Sequence, residues 1–430
     1  MKHRNYRNIF ISLFSALVIS LGYIAIENQP SPLLDDMDFF TKYYISHDTT
    51  LAKIDSALFI DVAFDKSSVS YKPYSDSVPS FIVDRKKLLD FLRLIERVDT
   101  HKGIFLDITF DKRKKTPYDD SLRIQIMSMH HNGKCAYVVK PDDEDTDVDF
   151  DTEYEPVAVQ NYYMMTKPNL GYVRHIYKKD KTNALGALSL YNYINRESPI
   201  IPQHVLGNIY VCEGDFFHGG IFRNNPILKI PMPTFDKYFR HYFLYEFMDL
   251  PKNYSQTNLD IFDINKIIEG KVLFVGDFIS DIHSTYAGEM SGSYLTYNAY
   301  SALNTHKHVL TWFFLLVMFI IYFLVSLFIM QDWLVKFINL IQKPTTRYLK
   351  KLTETNNKYC RLLSVVISVI LVLLDLLLST ATFGLLFFFI FLFLYDNYDF
   401  MYSTTVPILY FTLLKFVKLT YKSFNKIVIR

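Results

Sequence analysis

The chain has 430 residues, half of them apolar, with charged residues at 21% and a formal net charge of +2. That balance excludes a strongly basic nucleic-acid binder and an acidic disordered tail, so no nucleic-acid partner is expected. The apolar residues are gathered into a few long runs.

Residues 1–8 (MKHRNYRN) are basic through Lys2, Arg4 and Arg7, and Ile9 to Ile26 then runs without a charge. At about 1.5 Å per residue this run nearly crosses a ~30 Å hydrocarbon core. It fits a signal anchor or a cleaved signal peptide. The flank GYIAIENQPSP has no convincing small-x-small cleavage site, which favours the anchor.

Residues 27–306 are long enough for one large domain and read as α/β. Ala57 to Phe64 (ALFIDVAF) and Gly103 to Phe110 (GIFLDITF) are short strand-like runs, each carrying an Asp. Between them, Arg85 to Val98 has Leu88, Leu89, Leu92 and Ile95 at helical spacing. Strand, helix and strand at this distance predict a βαβ crossover and a mostly parallel sheet. The stretch IQIMSMHHNGKCAYVV reads as strand-like, with His130 and His131 as hairpin residues beside Asn132–Gly133. Asp142 to Glu155 is an acidic run that lacks the central Gly and the spacing of an EF-hand, so it reads as a solvated loop. Asp111 to Lys115 (DKRKK) reads as an exposed turn, and the chain past Pro199 as irregular or inserted. Lys271 to Phe278 is again strand-like, and Tyr294 to Asn304 is helix-like and leads almost directly into the next apolar run.

Val309 to Met330 crosses a membrane outright, Leu362 to Tyr395 is apolar apart from Asp375, and Tyr402 to Thr420 is a last, more amphipathic stretch. The 331–361 segment carries Lys336, Lys343, Arg347, Lys350, Lys351, Lys358 and Arg361, against Asp332 and Glu354. Residues 421–430 extend a basic tail, and 396–400 (DNYDF) holds acids only. The bias of Lys and Arg toward the cytoplasm predicts four spans, with residues 27–306 outside and both ends inside. The third run is long enough for a tilted helix or for a hairpin turning near Ser379–Gly384; the hairpin would put the basic tail outside. The fold class expected is therefore an extracytoplasmic α/β domain plus an α-helical membrane region with one N-terminal and three C-terminal spans.

Asp277, Asp281 and His283 share one loop at the carboxyl end of a predicted strand, the edge where open α/β sheets bind ligands. Asp61 and Asp107 stand near the corresponding ends of their own strands. Carboxylates with one His can coordinate a divalent cation; the alternative is that the acids cap turns and helices and His283 bonds a backbone carbonyl. Asp375 is costly inside a membrane, which makes it a candidate for a polar contact within the bundle or between subunits. Cys135 and Cys212 both lie outside, where a disulfide can persist, but their sequence separation leaves pairing open. No nucleophile motif, P-loop, HExxH, paired CxxC or dinucleotide fingerprint occurs, so neither an enzyme nor a cofactor is expected.

From Gly270 to Leu303 the chain reads GKVLFVGDFISDIHSTYAGEMSGSYLTYNAYSAL. This resembles the second type of CHASE domain, an extracellular sensory module of bacterial adenylate cyclases, histidine kinases and serine/threonine kinases. Asp281, Thr285, Gly292, Asn298 and Ala299 stand at the places of that family's pattern. So do Asp61, Arg85, Asp107 and Asp119 or Asp120, and Gly171 and Arg174 match its Gly-x-x-Arg. Asp277 departs from it, standing where the family has a small residue. The resemblance adds Arg174 and Thr285 to the candidate ligand set. It implies a multi-pass protein of the bacterial cytoplasmic membrane with its large domain in the periplasm, and an order of one N-terminal and three C-terminal spans. Only a short tail follows the last apolar run, where most relatives continue into an output domain. The resemblance therefore implies a sensor that binds a small ligand or partner, dimerises or joins a hetero-complex, and passes its signal to another protein. The alternative is a docking subunit of a cell-envelope complex. Membrane lipid is a partner in either case.

Overall fold

The computed structural model describes residues 2–27, 57–70, 79–141, 148–160, 177–178, 184–206, 209–223, 241–254, 260–285, 288–304, 308–331, 358–398 and 405–428. The chain divides into two compact units: Met1–Thr41, Gly214–Gly219 and Leu310–Arg430 form one, and Lys42–Glu213 with Gly220–Val309 form the other.

The second unit is built on a six-stranded parallel sheet. Its strands are β1 (Ala57–Asp61), β4 (Gly103–Asp107), β5 (Ala136–Lys140), β6 (Ala158–Gln160), β10 (His241–Phe243) and β11 (Val272–Gly276), in the order β10-β1-β11-β4-β5-β6. Helices α2 (Arg85–Val98), α3 (Asp119–His131), α4 (Gly186–Ile194), α5 (Leu244–Tyr254), α6 (Asp260–Ile268) and α7 (Gly292–Asn304) belong to the same unit. The chain enters them after α1 (Lys2–Glu27) of the first unit. Antiparallel strands lie outside the main sheet: β2 (Lys66–Ser70) with β3 (Pro79–Val83), β7 (Gln203–Leu206) with β8 (Ile209–Cys212) and β9 (Gly220–Phe222), and β12 (Ile282–Thr285) with β13 (Gly288–Ser291).

The central strands β1 and β11 are buried along their whole length, which is why they read as continuous apolar runs. Alternation sorts their side chains into two cores. Leu58, Ile60, Ile104, Leu106, Leu273 and Val275 pack with α2, α3, α5 and α6. Ala57, Phe59, Phe105, Val272 and Phe274 pack with α4 and α7 on the other face. The result is a three-layer α/β/α sandwich. Phe59 is the hub of the second face, with ring centroids of Tyr294, Tyr297, Phe274 and Phe278 at 4.8, 5.2, 5.7 and 5.8 Å. Burying so large a ring contributes about 2–3 kcal/mol.

The expected β1-α2-β4 crossover is present, but β11 is inserted between its two strands. Asp84 caps α2 by accepting the N–H groups of Lys86 and Lys87, both at 3.0 Å. The segment expected to be a strand through His131 is instead α3. Its buried residues, Leu122, Ile126 and Met129, follow helical spacing, and Asn132–Gly133 closes the helix, Gly133 having φ +80°. The chain past Pro199 is partly ordered as β7, β8 and β9, not irregular throughout. Cys135 and Cys212 are free thiols, so the possible bridge is not formed.

In the first unit, α1 lies antiparallel to α8 (Trp312–Met330). Asn8 Nδ2 donates to Met330 O at 3.3 Å and Ser326 Oγ to Ser15 Oγ at 3.0 Å. Buried Ser12, Ser15, Ala16 and Ile19 form one stripe of α1, small enough for close helix approach. Helix α9 (Lys358–Tyr398) runs unbroken through Ser379–Gly384, and α10 (Thr405–Val428) pairs with it through Thr380 and Thr412, 3.2 Å apart. Lys418 Nζ, on α10, donates to the last carbonyls of α8, Ile329 O and Met330 O. Among the described residues, Tyr6–Ile24 and Trp312–Met330 are long and apolar enough to cross a membrane.

Candidate functional site

Asp61, Gly276 and Asp107 are register partners across β1, β11 and β4, the last residues of the three central strands. Equal register puts the two carboxylates on the same sheet face with the glycine between them. The glycine is required there. A Cβ on Gly276 would lie 2.2 Å from Ser293 Oγ and 3.0 Å from Asp107 Cβ, so its absence admits the first turn of α7. Ser293 Oγ then donates to Asp107 Oδ2 at 3.0 Å.

The next glycine brings two acids together. A Cβ on Gly292 would lie 2.5 Å from Asp281 Oδ2 and 2.8 Å from Asp107 Oδ2. Both carboxylates therefore converge on the N-terminus of α7, where the helix dipole favours negative charge. His283 Nε2 stands 2.8 Å from Asp281 Oδ1, and Gly292 N–H donates to Asp281 O at 3.2 Å. Among the described residues no three His, Cys, Asp or Glu side chains group so as to hold a metal ion.

Asp61 is fully buried, and its Oδ1 accepts the N–H groups of Ala63 at 2.8 Å and Phe278 at 3.2 Å. It thus fastens the loop after β1 to the loop after β11. His241 Nε2 is 3.3 Å from its other oxygen.

Asp277 Oδ1 accepts from Ile279 and Ser280 N–H at 3.1 and 2.7 Å, while Oδ2 takes Lys66 Nζ at 2.7 Å. Burial acts to raise its pKa, but the Lys66 ammonium and the two N–H groups outweigh it and hold the carboxyl below its ordinary range. Lys66 and Asp277 form one wall of a cleft of about 270 Å³ at the carboxyl ends of β1, β11 and β4. Arg85, Asp107, Thr109, Asp111 and Lys114 are polar residues of its other walls, and Val62 and Ile108 are among the apolar ones.

Arg85 is the first residue of α2 and is 3% exposed. Its guanidinium carbon lies 4.2 Å from the centre of the Phe110 ring, and Nε is 3.5 Å from Asp119 Oδ1. Neither Nε nor Nη1 has a hydrogen-bond partner. Burial draws its pKa down, against the opposing charge of Asp119.

The sequence-derived candidates therefore divide. Asp107, Asp281 and His283 come together at α7, Asp277 and Asp107 line the cleft, and Asp61 lies beneath as a backbone clamp. Thr285 ends β12 in register with Gly288. Arg174 lies outside the described residues, and Asp375 falls on α9. Lys66 carries no signal in the sequence, where Asp111 and Lys114 read as residues of an exposed turn. Asp111 does organise a turn, accepting from Arg113 N and Nε, and is buried doing so.

The fold and cleft define an α/β domain with a small polar cleft at the carboxyl edge of a parallel sheet, the usual ligand position in such sheets. Comparison with family models, with curated proteins and with solved structures returns no match.

Proposed function

We propose that this is a multi-pass protein of the bacterial cytoplasmic membrane whose periplasmic α/β domain, of the second CHASE type, binds a small ligand or partner. The signal passes through four spans to another protein, and the protein acts as a dimer or within a hetero-complex. The observation that carries the reading is the cleft closed by Lys66 and Asp277, with Arg85 and Asp107 in its walls. It supports a ligand held between a buried cation and an anion at a helix N-terminus. The antiparallel pairing of α1 and α8 supports the topology: both chain connections to residues 42–309 leave from the same end of the helix pair. Basic residues flank the opposite end, as the cytoplasmic bias of Lys and Arg requires.

The test is purification of the full-length protein from its native membrane, with identification of the small molecules and proteins it retains. Asp107→Asn, which keeps the shape of the cleft, is expected to lose a component that the wild type holds. A stoichiometric envelope complex retained equally by wild type and variant would overturn the sensory reading in favour of a docking subunit.

A further inference from the structure

The hexapeptide Gly214–Gly219 (GDFFHG) joins β8 to β9 in sequence, yet it packs with the helices of the first unit. Its backbone caps the first turn of α8. Trp312 N–H donates to Gly219 O at 3.1 Å and Phe313 N–H to Phe216 O at 3.0 Å. Thr311 Oγ1 accepts from Phe314 N–H at 3.2 Å. Three successive donors at the start of an apolar helix are thereby satisfied, as a helix end near hydrocarbon demands.

The loop also satisfies its own polar groups. Asp215 Oδ1 accepts from Phe217 N–H and His218 N–H, both at 2.9 Å, and lies 2.8 Å from His218 Nδ1. The ends of the loop touch: a Cβ on Gly219 would lie 2.5 Å from Gly214 O, so no larger residue closes this turn. What remains outward is aromatic. Phe216 and Phe217 are 45% and 59% exposed and set their rings 6.1 and 5.3 Å from that of Phe313. Along α8, Trp312, Leu316, Ile320, Leu324 and Phe328 are exposed as well, a stripe at four-residue spacing.

We infer that Gly214–Gly219 is a membrane-surface anchor, with Phe216 and Phe217 seated beside Trp312 at the boundary between headgroups and acyl chains of the outer leaflet. Aromatic side chains concentrate at that depth, and the hydrogen bonds to the first turn of α8 fix the loop there. The inference rests on the reading of Trp312–Met330 as a span.

The experiment uses full-length protein in phosphatidylcholine vesicles, in a Trp312→Phe/Trp333→Phe background. A tryptophan is placed at the loop by Phe217→Trp, with Phe216→Trp as a second variant, or at mid-helix by Ile320→Trp. Lipids brominated near the carbonyl or at mid-chain report depth, and acrylamide reports exposure to water. The loop tryptophan is expected to emit at shorter wavelength than in water, to be quenched most by shallow bromine, and to resist acrylamide. The mid-helix tryptophan is expected to be quenched most by mid-chain bromine. Deep quenching at position 320 with an acrylamide-sensitive, lipid-insensitive loop would overturn the anchor and leave the span intact. A loop shielded from both quenchers would overturn it in favour of a protein partner. Lipid-insensitivity at both positions would remove the span, and the anchor with it.

Discussion

Lys66 Nζ lies 2.7 Å from Asp277 Oδ2, an ion pair between residues 211 apart in the chain. It ties the β2–β3 hairpin to the loop after the central strand β11 and forms one wall of the cleft. Asp277 is held below the usual carboxylate range, so the native state binds its proton less readily than the unfolded chain. Its contribution to stability is fully present above the unfolded pKa of about 4 and is lost as pH falls through the folded value. Asp277→Asn is expected to lower stability at pH 7 by about 1 kcal/mol, discounted for the partial exposure of the pair. Chemical unfolding of the two proteins at pH 7 and near pH 3 checks this: the gap should close in acid. A gap that persists unchanged in acid contradicts it.

The absence of a side chain at Gly276 is a packing requirement. Gly276→Ala sets a methyl against Ser293 Oγ and is expected to cost about 1–3 kcal/mol. Adding Ser293→Ala leaves Cβ atoms 3.5 Å apart, an ordinary contact, and should restore part of that loss. A double-mutant cycle by denaturant titration measures the coupling. Strict additivity would contradict the geometry.

His101, just before β4, is buried, and neither ring nitrogen has a hydrogen-bond partner. Burial lowers its pKa to about 4. Between the unfolded value near 6.5 and that folded value the unfolded chain binds the extra proton, so stability falls as pH drops through this window. The full effect is about 3 kcal/mol, reached below about pH 4. His101→Leu removes an unpaired polar group, so it should not weaken the protein at pH 7 and should flatten the dependence between pH 6.5 and 4. Melting temperatures across that range are the measurement.

Cys135 and Cys212 should be inert. Burial raises the Cys135 thiol well above its ordinary value and pushes Cys212 up to about 12. At pH 7 the thiolate fraction of Cys212 is about a thousandfold below that of a free cysteine. In a Cys360→Ser background, maleimide is expected to modify neither thiol in the folded protein and both in denaturant. Rapid modification of the folded form would show that these sites open.

Much of the sandwich was legible because its strands are buried on both faces. Ala57–Asp61, Gly103–Asp107 and Val272–Gly276 read as continuous apolar runs, and α2 was recovered with its bounds, Arg85–Val98. Strand order was not legible. Nothing local says that β11 enters between β1 and β4, since that pairing is fixed by contacts between distant segments. Helix α3 reads as a strand because Ile124 and Ile126 alternate with polar Gln125, although its buried residues Leu122, Ile126 and Met129 follow helical spacing. At the site, Asp107 is legible as the last residue of an apolar strand and Asp281 from the loop after β11, whereas His283, expected in that loop, lies on β12. Asp61 was found as well, but the hydrogen bonds that make it a clamp appear only once the loops after β1 and β11 meet. Lys66 was missed because a lone lysine on a hairpin carries no pattern.

The proposed topology has residues 42–309 facing the periplasm and the basic segment that leads into the first turn of α9 facing the cytoplasm. Single cysteines at Ile201 and Tyr359, exposed at 70% and 82%, report the two sides in a background without Cys135, Cys212 and Cys360. In cells with a permeable outer envelope, a membrane-impermeant maleimide is expected to label Ile201→Cys before lysis and Tyr359→Cys only afterwards. Labelling of Tyr359→Cys in intact cells, with Ile201→Cys protected until lysis, would contradict the topology and the external sensor built on it.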